Sequence, residues 1–261
     1  MNENQRVALV TGAGRGIGAT VGVRLLKSGF EVHFTDANED RARACVATLG
    51  EYHELAFAWG MDVTSDKDVG SVIDAVGARH GRIEVLVNNA GIINQCPTQH
   101  IPTSEWNELI DIHLGGTFRC SRAAFPFLSA AGGSAIVNVS SIAGQMGMPI
   151  RASYCAAKAA IEGFTRSLVA EWAEFGIRVN AIAPGYVMTE LIQKDLANGL
   201  VSKDQLETRI SMKRLADPSE VAESMFFLAT ESSSYITGQV LHVDGGLSID
   251  FDPGNTKVIG R

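Results

Sequence analysis

Cysteine is scarce in this chain and scattered. Cys45, Cys96, Cys120 and Cys155 form no C-x-x-C pair and have no histidine at metal-ligand spacing, so neither a zinc site nor a disulfide framework is expected. The thiols read as buried fillers. Basic clusters are missing as well: with a net charge of -7 and a pI near 5.4, the chain shows no basic stripe that would bind nucleic acid. No apolar run is long enough to span a bilayer, and MNENQR leads straight into VALVT without the apolar region of a signal peptide. A cytoplasmic protein with no membrane partner is expected. Repeats, low-complexity runs and Gly/Ser/Pro linkers are absent too, so the 261 residues, 46% of them hydrophobic, are expected to form one domain over 1–261.

What the chain does have is alternation. Short apolar runs at 6–11, 31–36, 55–62, 85–88, 135–140, 178–182 and 238–243 alternate with helical patterns at 17–28, 39–49, 66–80, 103–131, 153–174 and 218–230. That order implies an α/β fold, a single Rossmann-type doubly wound parallel sheet with helices on both faces and a ligand at the carboxyl ends of the strands.

Three side chains are spaced for acid-base chemistry. Tyr154 and Lys158 stand four residues apart in an Ala-rich helical stretch, so both lie on one face, where an ammonium would favour the phenolate. Ser141 ends the fifth strand, where its hydroxyl could bond the oxygen of an alcohol or ketone. A Tyr and a Lys on a helix face can equally be surface residues with buried stems. Cys155, beside the candidate base, reads as packing or as an oxidation-sensitive thiol.

The first strand opens into Thr11-Gly-Ala-Gly-Arg-Gly-Ile-Gly18, a turn that lets a pyrophosphate approach the amides at a helix N-terminus. Gly14, Gly16 and Ala19 fit one dinucleotide fingerprint; Gly12, Gly16 and Gly18 fit another. Asp36 ends the second strand, where a carboxylate can accept from an adenosine ribose hydroxyl, which favours NAD over NADP. It can also cap the helix that follows. Asp62 reads either as a cofactor contact with Val63 or, with Thr64 and Ser65, as a cap.

TGAGRGIG, then Asn88-Asn89-Ala90-Gly91, then Ser141 with YCAAK, then PGYVMT, in that order, resemble the short-chain dehydrogenase/reductase family across 6–246. The resemblance selects the Gly12, Gly16, Gly18 register. It implies cofactor contacts at Arg15, Ile17, Asp62, Val63, Asn89, Ala90, Gly91, Tyr154, Lys158, Pro184, Gly185, Val187 and Thr189, with Arg15 of the kind that accompanies NADP. It also implies a lid at 188–214, and a homotetramer built on the two long helices and the last strand. Where the family has an Asn that holds a water of the proton relay, this chain has His113, which either substitutes in the relay or is a structural histidine near Gly115-Gly116. Gln145, Met146, Met148 and Tyr186 are candidate contacts to a small-molecule substrate. His33, His53, His80, His100 and His242 show no constellation and read as surface or packing residues. The tail, 247–261, has no clear element.

The function these features imply is hydride transfer between NAD and a secondary alcohol or ketone, the substrate being a polyol, sugar or hydroxy acid, without metal. The alternatives are an NADPH-dependent 3-oxoacyl ketone reductase and, from another class, a non-catalytic NAD-sensing protein.

Overall fold

The computed structural model describes residues 5–249. The expected tail beyond Ile249 therefore lies outside the described residues. Seven strands, all parallel, pair in the order β3-β2-β1-β4-β5-β6-β7. They are β1 (Arg6–Val10), β2 (Phe30–Asp36), β3 (Ala56–Gly60), β4 (Val85–Asn88), β5 (Ser134–Val139), β6 (Ile177–Pro184) and β7 (Val240–Val243). The order reverses between β1 and β4, which leaves a crevice at their carboxyl ends.

The sheet is buried on both faces, and its pleat divides the core. Ala8 and Val10 point into one cluster, packed by α1 (Gly16–Leu26), α2 (Glu39–Ala47) and α9 (Pro218–Ala229). Val7 and Leu9 point into the other, covered by α3 (Asp66–His80), α5 (Gly116–Ala130) and α6 (Ala152–Trp172). With period-2 side chains and apolar residues at both phases, β1 can only be an interior strand. A smaller cluster, Ile142, Ile210, Leu215 and Leu247, joins the segment expected to be a lid to the domain, with Met188, Ile192 and Leu206 of that segment packed against it. That segment contains two helices, α7 (Glu190–Ala197) and α8 (Lys203–Arg209).

Three features depart from the sequence reading. The helix expected over 103–131 is interrupted: α4 (Thr103–Ile110) passes through a π-helical turn, Asp111–Gly115, before α5 begins. The sixth strand runs on to Pro184, which the end of a strand tolerates because no further ladder donor is needed there. His33 and His80, expected to lack a constellation, share a carboxylate. Nε2 of His33 and of His80 lie 3.1 and 2.9 Å from Glu31 Oε1, and Arg79 Nε lies 3.3 Å from the same oxygen. Trp59 Nε1 donates to His33 Nδ1 at 2.9 Å, so the His33 proton sits on Nε2 and is donated to Glu31. The cluster escapes a periodicity reading because its members come from β2, β3 and the end of α3.

Burial alone would raise the Glu31 carboxyl, but the two imidazoles outweigh it and bring the pKa to about 2. Burial holds His33 below its usual range. Both shifts favour the folded state at neutral pH, because the unfolded chain binds these protons more readily. Stability is expected to decline as pH falls below the unfolded histidine value of 6.5, and further between 4.5 and about 2. Urea unfolding at neutral and acid pH checks this: Glu31→Gln should be less stable than wild type at neutral pH and approach it as the pH is lowered.

Candidate active site

The glycine turn after β1 is held to the turn after β4 by side-chain hydrogen bonds. Thr11 Oγ1 accepts from the backbone N–H of Asn89 at 2.9 Å and of Ala90 at 3.0 Å, while Asn89 Nδ2 donates to the carbonyls of Thr11 and Gly12, each at 3.0 Å. Gly12 and Gly16 have φ of +61° and +58°, a region costly for side chains. A Cβ on Gly12 would also lie 2.8 Å from Ala90 Cα. At the start of α1 no side chain caps the first turn, so its amides are open toward the crevice.

The resulting cleft, about 350 Å³, is lined by Gly12, Arg15, Gly16, Ile17, Asp36, Arg41, Asp62, Val63, Asn89, Ala90, Gly91 and Thr189. Asp36 is buried; its Oδ1 accepts from the Asn38 N–H at 2.9 Å and faces Arg41 Nη2 at 3.1 Å. The cap of α2 is Asn38, not Asp36, and the cap of α3 is Ser65, not Asp62. Both acids thus remain at the cleft. A bare helix N-terminus, a turn that side chains would fill and a carboxylate at the next strand end fit an adenine dinucleotide. Of the other expected contacts, Val187 is buried and Gly18 packs closely against Asn89. The sequence reading missed Arg41; its position one turn into α2 was the only signal available. A cavity of about 670 Å³ lies at the opposite end of the sheet, near the strand starts Arg6, Phe30, Val85 and Ile177, away from this chemistry.

Ser141 leaves β5 in an extended conformation, with its Oγ accepting from the Ala143 N–H at 3.1 Å. From α6, the Ala-rich helix, Tyr154 and Lys158 project on one face, the ammonium 5.5 Å from the phenol ring centroid. Lys158 is buried and donates to the Val139 carbonyl at 2.7 Å; burial lowers its pKa to about 7. The Tyr154 phenol is pushed up by burial, with the Ser141 hydroxyl and the Arg151 charge opposing.

His113 sits in the π-turn, buried, its ring 5.5 Å from that of Tyr154 and nearly perpendicular to it. Its Nε2 lies 2.7 Å from the Ile92 carbonyl and 3.1 Å from the Ile92 N–H. One nitrogen cannot donate and accept at once, and the shorter contact assigns the proton to Nε2, leaving Nδ1 as an acceptor. Nδ1 is buried and has no partner among the described residues. Burial and the Lys158 charge bring the pKa to about 3. The ring is therefore neutral at ordinary pH, and the titration near pH 6.5 that distinguishes His from Asn in solution does not apply here.

Met146, Met148 and Tyr186 line a second cleft together with Ile142, the residue after Ser141. Gln145 is exposed and outside its lining. Asn94 is engaged by the Ser153 hydroxyl at 3.0 Å. Sequence reading also missed the polar ties behind the site. Asn88 Nδ2 donates to Ser121 and Asn138, Asn138 Nδ2 donates to Thr165, and Ser140 Oγ donates to Glu162.

The sequence profile of a family described as enoyl-(acyl carrier protein) reductase matches residues 12–248. The chain belongs to the short-chain dehydrogenase/reductase family. Its relatives include a 3-oxoacyl-[acyl-carrier-protein] reductase of Staphylococcus epidermidis, 37% identical over 92% of this chain and 98% of the relative. Another is a cis-4-hydroxycyclohexanecarboxylate dehydrogenase of Sinomonas cyclohexanicum, 41% identical over 93% of this chain and 96% of the relative. Among solved structures, ElxO with NADP bound superposes with a TM-score of 0.89 at 34% identity, covering 93% of this chain and 98% of ElxO. The protein is thus an oxidoreductase acting on a small molecule with a nicotinamide cofactor. Among the described residues, no helix is long and apolar enough to cross a membrane.

Gly91 is what admits the imidazole: a Cβ there would lie 2.2 Å from His113 Cε1. Gly91→Ala is expected to lose about 1–3 kcal/mol in urea unfolding. Adding His113→Ala should recover much of the loss, because the two positions share one space.

Proposed function

We propose that the protein oxidises a small secondary alcohol to a ketone, reversibly, with NAD as the hydride acceptor. The observation that carries this reading is the convergence of Ser141, Tyr154 and Lys158, joined through His113 and Gly91 to the cleft that Asp36 lines. Ser141 binds and orients the substrate oxygen. Tyr154 takes the hydroxyl proton during oxidation and returns it during reduction. The bound dinucleotide supplies the hydride acceptor. Lys158 holds positive charge at the site, most effectively below its pKa of about 7, and passes protons on. With so low a pKa, His113 acts as a fixed hydrogen-bond acceptor through Nδ1 and does not titrate. His113→Asn is therefore the mildest change at that position. The segment over 188–214 covers the substrate, and a homotetramer is the expected assembly.

A carboxylate at the adenosine ribose supports NAD, since a 2'-phosphate there would meet like charge. A second reading has its own support: Arg41 partly neutralises Asp36, Arg15 lines the same cleft, and ElxO was solved with NADP. That reading is an NADPH-dependent ketone reductase, in line with the 3-oxoacyl reductase relative. The intact Ser141, Tyr154 and Lys158 argue against a sensing protein without chemistry.

Two measurements test the proposal. Tyr154→Phe should lower turnover by roughly 10²- to 10⁴-fold with little change in NAD binding; unaltered turnover would refute the role of the phenol. In parallel calorimetric titrations the wild type should bind NAD more tightly than NADP. Asp36→Ala should move that ratio toward NADP by about tenfold or more, because Arg15 and Arg41 remain. A wild type that prefers NADP selects the second reading.

A further inference from the structure

The second cleft, about 140 Å³, is lined by Ile142, the residue after Ser141, and its lining combines apolar groups with two cations. Ile142, Met146, Met148 and Leu247 supply the apolar wall; Arg151 and Arg209 supply the charge. Among the described residues neither guanidinium has a carboxylate, carbonyl or aromatic partner, whereas Arg41, Arg119, Arg178 and Arg214 are all engaged. A planar donor set with no internal partner, facing a cleft, is suited to bidentate contact with an external carboxylate.

The backbone before Arg151 adds to this. Ile150, a β-branched residue, has φ of +59°, a conformation that persists only where the surroundings impose it. The Ile150 carbonyl is held by the Cys96 N–H at 2.9 Å. This turn sets Arg151 immediately before the first residue of α6 and three residues before Tyr154. Its charge is felt at the phenol.

We infer that the substrate bears a carboxylate on an apolar body, and that Arg151, with Arg209 in a lesser part, binds it. The inference rests on the dehydrogenase reading for the rest of the substrate and adds its charge class. Arg151 is half-buried and Arg209 exposed, so solvent screens Arg209 more strongly and Arg151 carries most of the discrimination.

The test reads binding and does not depend on turnover. Cyclohexanecarboxylate and cyclohexanecarboxamide, alike in shape and different in charge, are titrated calorimetrically into the full chain saturated with NAD. The acid is expected to bind about tenfold or more tightly than the amide. Arg151→Met should bring the ratio close to one, Arg151→Lys should keep part of it, and Arg209→Met should change it about two- to threefold. Raising salt from about 50 to about 500 mM should weaken the acid more than the amide. Equal binding of the two probes, binding of neither, or an acid preference that survives Arg151→Met overturns the inference. A protein that oxidises neutral secondary alcohols but shows no acid preference refutes this inference alone. One that keeps the preference but oxidises no alcohol refutes only the dehydrogenase reading.

Discussion

Everything at the site depends on how β1 and β4 are joined where the sheet changes direction. Their carboxyl ends diverge there, and a crevice at that point would be loose if only the strand ladder held it. Thr11 and Asn89 close it by exchanging backbone and side-chain hydrogen bonds. Because donors and acceptors are matched in a partly buried place, the ties stabilise one arrangement of the two turns, and unpairing any of them would leave a polar group short of a partner. Gly12, Gly91 and Ile92 inherit their positions from this join. Through Ile92 the join reaches His113, and through His113 the ring of Tyr154. The glycine turn and the Tyr154 ring thus belong to one connected framework.

Burial governs the electrostatics of that framework. An ammonium removed from water is held in place by one short bond to the Val139 carbonyl, and the same loss of water pushes the phenol up and both the lysine and the histidine down. Ionisable groups drawn together from α6 and the π-turn therefore differ in behaviour from their counterparts in solution. His113 shows this most plainly: a residue known for titrating near neutrality becomes a fixed polar group. In the glycine-turn cleft the buried Asp36 carboxylate is paired with the Arg41 guanidinium.

Much of this was legible in the sequence, and the reason is spacing. Strand and helix periodicity gave the doubly wound sheet, and Tyr154 and Lys158 share a face because four residues make about one helical turn. Short-range motifs carry their own geometry. What the sequence did not disclose depends on partners far apart in the chain: Glu31 with His80, Asn138 with Thr165, Ser140 with Glu162. No periodicity marks such pairs. The exposure of Gln145 and the burial of Val187 were hidden for a related reason, since a loop residue's direction is set by packing and not by its neighbours in sequence. Arg41 and Arg151 were passed over because an arginine looks the same in sequence whether it faces a cleft or open water.

The π-turn at Asp111–Gly115 bears on helical phase. Leu109 and His113 are buried before and within it; Cys120, Ala124 and Leu128 are buried after it. A π-turn accommodates one residue more than the α-helical winding around it, and each residue advances an α-helix by about 100°. Shortening the turn by one would therefore rotate all of α5 relative to α4. Cys120, Ala124 and Leu128 would swing away from the sheet, and the helix could not satisfy both the imidazole and the core. The extra residue acts as an angular adjustment, letting one continuous rod present a bulky ring to the catalytic crevice and small side chains to the strands below.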